Sequence, residues 1–218
     1  MNDEPELFDL YDESGQPLGR SKARELVHRD GDWHRSANIW IFKGDGTLLF
    51  QRRAADKDTW PGRLDASIGG HYRAGEGLAG VVREAYEELG ITISLEELVP
   101  IGLRTVVSLE PGIVDRELQD IYLLRRNLPL TAYVPDPVEV DGLALLDAAA
   151  AAALHAGTLA ELDGEFLPRG SATTTIRRFT ADDLIPERGP YMGAVAAAVA
   201  EILAGRPPRP LDHSGDHV

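Results

Sequence analysis

Between Leu78 and Leu89 the apolar residues Leu78, Val81, Val82, Ala85 and Leu89 recur at helical spacing, which predicts a helix with one buried stripe. Glu84, Glu87 and Glu88 fall on its other side. Residues three and four apart are neighbours on a helix surface, so these carboxylates are crowded together and repel. A compensating cation is the natural counterweight. Upstream, LFDLYDESGQPLGR reads as a strand, a turn and a return strand, and SKARELVHR as a turn or two of helix. ANIWIFKGDGTLLFQRR gives two apolar strands around a Gly-Asp-Gly turn, and DASIGGHY a strand leading to the acidic helix. Further strands are expected at LVPIGLRTVV and ELQDIYLL, divided by the turn at Pro111-Gly112. VEVDGLALLDAAAAAALHAG changes from strand to strong helix former; TTTIRRFT, ADDLIP and PYMGAVAAAVAEILAG predict a short strand, a turn and a closing helix. Mixed strands, one helix among them and two toward the end predict an α/β (α+β) sandwich around a mixed sheet.

A length of 218 residues suits one domain, expected over 1–205, and the polar, Pro-rich 206–218 reads as a disordered tail. With 36 acidic against 22 basic residues the net charge is -14, and no Lys/Arg-rich run stands out. Nucleic acid and anionic membranes are therefore poor partners. The absence of cysteine excludes disulfides, thiolate metal sites and thiol nucleophiles. The first residues lack the basic-then-apolar pattern of a signal peptide, and no apolar run approaches spanning length. A soluble cytoplasmic protein is the expectation, with the oligomeric state open and a homodimer compatible.

The acidic helix belongs to a longer pattern. Gly70, Glu76 and then Arg83, Glu84, Ala85, Glu87, Glu88, Gly90 and Ile91 resemble the signature of the Nudix hydrolases. That signature is Gly, five residues, Glu, seven residues, then Arg-Glu-apolar-x-Glu-Glu-x-Gly-apolar. Here six residues, not seven, separate Glu76 from Arg83. The resemblance implies a Nudix-type α/β/α sandwich that hydrolyses a diphosphate linkage with Mg²⁺, or Mn²⁺ in its place. Physical chemistry agrees: Mg²⁺ prefers carboxylate oxygen shared with substrate phosphates. Glu84, Glu87 and Glu88 would hold the metal, Arg83 would orient them, and the Gly69-Gly70 pair would permit a close approach. The bland alternative is a solvated charged face with Arg83 paired to Glu87.

VHRDGDWHRSANIWIF, QRRAADKDTWPG, GGHY and DRELQDIYLL resemble, within that family, the branch containing the type I isopentenyl-diphosphate isomerases. In those enzymes three histidines and two acidic residues bind a metal, a cysteine and a glutamate move protons, and an Arg and a Lys bind the diphosphate. His28, His34 and His71 fall at the histidine positions, Asp115 and Glu117 at the acidic ones, and Arg53 and Lys57 at the basic pair. Each has a structural alternative, the histidines as half-exposed residues flanking a turn. Trp60 reads as loop-stiffening Trp-Pro packing before it reads as a stacking platform. Gly69 occupies the cysteine position, while the double glutamate that the isomerases degrade is intact as Glu87-Glu88. Both departures point to hydrolysis of a small nucleoside- or isoprenoid-like diphosphate. The general base is left among Glu76, Glu88 and Glu117. An isomerase-like enzyme or a non-catalytic metabolite-binding module are the alternatives.

Overall fold

Alternation along Trp33–Phe42 sends Ile39 and Ile41 into one hydrophobic core and Trp40 and Phe42 into another, so this strand has a buried layer on each side. The computed structural model describes residues 5–57, 59–110, 113–186, 190–211 and 216–217. The chain begins with β1 (Leu7–Tyr11), β2 (Pro17–Ala23), α1 (Arg24–Asp30), β3 (Trp33–Phe42) and β4 (Thr47–Arg53). Two short strands follow, β5 (Leu64–Asp65) and β6 (Ile68–His71), then α2 (Ala79–Leu89), β7 (Val99–Glu110) and β8 (Ile113–Arg125). The remainder is β9 (Val140–Asp147), α3 (Ala148–His155), β10 (Leu162–Pro168), β11 (Thr175–Phe179), α4 (Tyr191–Leu203) and β12 (Asp216–His217).

The mixed sheet runs β11-β10-β9-β4-β3-β8-β7-β12, with β5 on β4, β6 on β3, and β1 touching β3. β3 and β8 pair in parallel over their length, whereas β3 and β4 meet only at Phe42 and Leu48 before diverging. β6 fills the gap so opened, antiparallel to β3. On one face α2 buries Val81, Ala85 and Leu89 with Ile39, Ile41 and Ile68. On the other, α3 and α4 bury Ala151, Leu154, Val195 and Val199 with Trp40, Phe50 and Leu146. This is the α/β/α sandwich expected. Each Val, Leu, Ile or Phe side chain so buried contributes on the order of 1.5–3 kcal/mol.

Some details differ from the sequence reading. β10 was not foreseen. Within the segment read as a tail, residues 206–211 lie against the body: Leu211 is 8% exposed, joins the α3–α4 core, and donates its N–H to the Ile101 carbonyl at 2.6 Å. The predicted turn at Pro111-Gly112 lies outside the described residues. No helix among the described residues is long and apolar enough to cross a membrane.

Candidate active site

The amphipathic stripe of α2 fixes its rotation: Val81, Ala85 and Leu89 face the core, so Arg83, Glu84, Glu87 and Glu88 flank the seam with β6. Gly90 ends the helix in the left-handed region at φ 66 and caps it back to the Ala85 and Tyr86 carbonyls. Arg83 holds three glutamates. Its Nε lies 3.0 Å from Glu76 Oε1, one terminal nitrogen 2.8 Å from Glu84 Oε1, and the other 2.5 Å from Glu87 Oε2. Glu76 is thus a clamp for Arg83 and does not line the cleft.

Glu84 and Glu88 pack inward. A Cβ added to Gly70 would stand 2.5 Å from Glu84 Cγ, so the lack of a side chain there makes room for the carboxylate. Glu88 is 8% exposed, accepting from the Gly69 N–H at 3.3 Å and from Gln51 Nε2 at 3.4 Å. Burial, then the charge of Glu84, pushes its carboxyl up to about 8. Burial also raises Glu84, against the pull of Arg83.

Beside these carboxylates lies a second cluster. Cross-strand register sets His34 of β3 opposite Glu117 of β8, and Ser36 opposite His71 of β6; α1 adds His28 and β8 adds Asp115. One ligand atom from each of His28, His34, His71 and Asp115 falls within 4.8 Å of the others. His34 is fully buried rather than half-exposed on a turn. Its Nδ1 lies 3.1 Å from the Asp32 carbonyl; the N–H that donates there leaves Nε2 with a lone pair. Among the described residues the Nε2 atoms of all three histidines, and Asp115 Oδ1, are buried without a formed hydrogen bond, although His34 Nε2 stands 3.4 Å from Asp115 Oδ1 and His71 Nε2 3.4 Å from Glu117 Oε1. Phe8 stacks on His34 and His71, fixing both rings from below. Burial first, then the other charges, pushes His28 down to about 4 and His34 to about 3. Burial and the charge of Glu117 push Asp115 up to about 9; His71 and the hydroxyl of Ser36 hold Glu117 low despite burial.

The carboxylates of α2 and, from the second cluster, His28, His71 and Asp115 line one cleft of about 630 Å³, with His34 buried behind them. Arg53 and Lys57 line it too. Arg53 ends β4 and is tied down: its guanidinium donates to the Thr59 carbonyl at 2.9 Å, to Thr59 Oγ1 at 3.1 Å and to Asp65 Oδ2 at 3.0 Å. Lys57 pairs with Glu139, and burial, then Arg53, lowers its pKa. Trp60 lines the cleft with its backbone at φ 48, a costly conformation for a bulky residue. Among the described residues the lining carries nine carboxylates (Glu6, Asp65, Glu84, Glu87, Glu88, Asp115, Glu117, Asp136, Glu139) against six Arg and Lys side chains. A bound divalent cation would offset this excess of carboxylates.

The sequence reading missed Arg24, Arg73, Gln51 and Glu139, all on the cleft. Arg24 alone left a signal, four residues before His28 on a predicted helix.

Comparison with known proteins gives this geometry a family. The NUDIX domain model matches residues 32–170. The chain belongs to the NUDIX family. An uncharacterized Nudix hydrolase of Clostridium acetobutylicum is 31% identical over 207 residues, 91% of this chain and 98% of the relative. Nudix hydrolase 3 of Arabidopsis thaliana is 38% identical over 63% of this chain, a stretch that spans only 19% of that relative. An isopentenyl-diphosphate Delta-isomerase of Rhizobium rhizogenes is 37% identical over 56% of this chain and 58% of its own length. The similarity thus reaches both hydrolase-named and isomerase-named members, as the two carboxylate and histidine clusters suggested.

Proposed function

We propose that this Nudix pyrophosphohydrolase uses Mg²⁺, or Mn²⁺, to cleave a diphosphate linkage in a small nucleoside- or isoprenoid-like substrate. The observation that carries the reading is the excess of carboxylates in a cleft that also presents Arg53 and Lys57, with Glu84 and Glu88 buried against their own repulsion. Glu84, Glu87 and Glu88 would hold one cation. His28, His34, His71, Asp115 and Glu117 would hold a second, since the three imidazole Nε2 atoms converge on the Asp115 and Glu117 carboxylates at 3.4 to 3.9 Å without a formed hydrogen bond, a donor set that fits a divalent metal. When bound, the divalent ion polarises the phosphoryl group and acidifies water.

The chain's own residues do the rest. Arg83 fixes Glu84 and Glu87, Gly70 leaves Glu84 its place, and Arg53 and Lys57 take phosphate oxygens with donors their present partners leave over. Of the three candidate bases, Glu76 is occupied by Arg83, and Glu117 is held low and accepts from Ser36 and Gln119. Glu88, on the cleft beside Gly69 and Gln51, is left as the candidate to take the proton from the attacking water. The histidine cluster is also what an isomerase-like reading would cite, but Gly69 supplies no thiol where that chemistry needs one.

A screen of diphosphate compounds with Mg²⁺ or Mn²⁺ tests the reading. Release of phosphate, pyrophosphate or a monophosphate is expected, with a loss of a hundredfold or more on Glu88→Gln, on the scale of general-base removal. Absence of hydrolysis across the panel, or deuterium entering isopentenyl diphosphate in heavy water at an enzymatic rate, would overturn it.

A further inference from the structure

Arg24, Arg53, Lys57, Arg73 and Arg83 each pair with an acid in or beside the cleft, but one arrangement differs from the others. Glu6 gives one carboxylate oxygen to each of two arginines: Oε2 lies 3.2 Å from Arg24 and Oε1 3.2 Å from Arg73. All three side chains line the cleft. Both arginines stand beside the histidine cluster. Arg24 is one helical turn before His28 on α1, and Arg73 follows His71 by two residues past the end of β6. Their side chains keep about half of their surface open, 50% and 49%, and each guanidinium has donors left over.

The backbone holds the two arginines in place without the Glu6 carboxylate. Arg24 donates its N–H to the Glu6 carbonyl at 2.9 Å, and Ala74, next to Arg73, donates to the Leu7 carbonyl at 2.7 Å. The backbone N–H of Arg73 also donates to Glu76 Oε2 at 3.3 Å. The carboxylate is therefore the one part of this assembly that can swing away without loosening the chain. Two oxygens bridging two guanidinium groups is also how a phosphoryl group would sit there, and exposed ion pairs of this kind are cheap to exchange.

We propose that Arg24 and Arg73 form a phosphoryl-binding subsite, apart from Arg53 and Lys57, and that Glu6 occupies it in the empty protein as a displaceable stand-in for the anion. This inference rests on the reading of the cleft as a metal-assisted diphosphate site. It gives that site a second basic pole on its histidine side, and it makes Glu6 a competitor of substrate rather than a structural tie.

The sign of one substitution decides between those roles. Binding of inorganic pyrophosphate in the presence of Mg²⁺ is measured by calorimetry for the full chain and for Glu6→Gln, Arg73→Gln, Arg24→Gln and Arg53→Lys. Removing the competing charge should tighten pyrophosphate binding by roughly threefold to tenfold, the scale of two exposed ion pairs freed for the ligand. Arg73→Gln and Arg24→Gln should weaken it, and Glu6→Gln combined with Arg73→Gln should lose the gain. If Glu6→Gln leaves the affinity unchanged or weaker while the melting temperature falls, Glu6 is a structural tie and the subsite is overturned. When Arg53→Lys weakens binding but the Glu6 and Arg73 changes do not, the subsite falls and the broader reading stands. If neither the wild type nor Glu6→Gln binds pyrophosphate with Mg²⁺ or Mn²⁺, both fall.

Discussion

At Gly70 a missing methyl group decides where the Glu84 carboxylate of the proposed metal site can sit. The clash is with Glu84 Cγ, not with the free end of a flexible chain, so Gly70→Ala must push the whole Glu84 side chain away from β6. The expected outcome is a loss of hydrolysis of at least about tenfold, as for a catalytic group moved by a fraction of an ångström, with the fold retained. Activity assays paired with thermal melts check it: activity kept within twofold would show that Glu84 has slack. How visible such residues were in the sequence depended on spacing. Glu84, Glu87 and Glu88 announce themselves because three- and four-residue intervals share a helix face, and Arg83 follows from the same periodicity. Gly69 as a hydrogen-bond donor to Glu88, Gln51 as its second partner and Arg73 as a partner of Glu6 carry no local signal. They meet through the β3–β6 register and the course of β1, which no short interval encodes. The pairing of Glu76 with Arg83 has a related origin: it comes from the chain reaching back seven residues, an interval with no local signal.

At the scale of elements, the ends of α2 matter as much as its faces. Gly90 sits at φ 66, and a Cβ there would stand 2.8 Å from Val134 Cβ, whose residue in turn donates its N–H to the Leu89 carbonyl. Gly90→Ala therefore meets both the left-handed backbone and a neighbour bonded to the helix end. A loss of more than about 1 kcal/mol is expected, from the φ cost with the clash added. Urea unfolding with an unchanged m-value and a lower midpoint would show it, and an unshifted midpoint would show that the helix end re-forms elsewhere. Most elements were readable because alternation and helical spacing are strong in β3, β4, β8, β9 and α2. β10 was not, because Gly164 and Pro168 punctuate it like a loop. The structure explains the glycine: a Cβ at Gly164 would fall 2.2 Å from Leu146 Cδ2, so β9 and β10 pack only without one. The single strand expected over DASIGGHY is broken in two for a comparable reason. Ser67 leaves the ladder to accept from the Ile41 N–H and donate to the Leu49 carbonyl, bridging the gap where β3 and β4 part.

For the whole molecule, a net charge of -14 and a cleft richer in carboxylates than cations make stability depend on pH and on divalent ions together. Without metal, Glu88 is raised from 4.5 to about 8 and Asp115 from 3.8 to about 9. Over that range the folded chain keeps protons that the unfolded chain has already lost, so these groups make stability fall as pH rises. His28 and His34, lowered from 6.5 to about 4 and about 3, act the other way. The unfolded chain holds their protons below 6.5, so their contribution grows with pH up to that point and is constant beyond it. Opposed effects cancel in part below 6.5, and only the carboxyls titrate above it. In a chelating buffer the melting temperature should therefore fall between pH 6.5 and 8. Mg²⁺ requires these carboxylates ionised, so binding releases protons and its stabilisation should grow over the same interval. At a concentration a hundredfold above Kd that stabilisation is about 2.7 kcal/mol. Glu88→Gln removes the largest raised carboxyl of the helix and should flatten the metal-free slope while weakening the Mg²⁺ response. Melts at the two ends of the interval, with and without Mg²⁺, are sufficient. A metal-free melting temperature that rises with pH, or an Mg²⁺ shift of equal size at both ends, would mean that Glu88 is ionised in the empty cleft and that its burial does not oppose the charge.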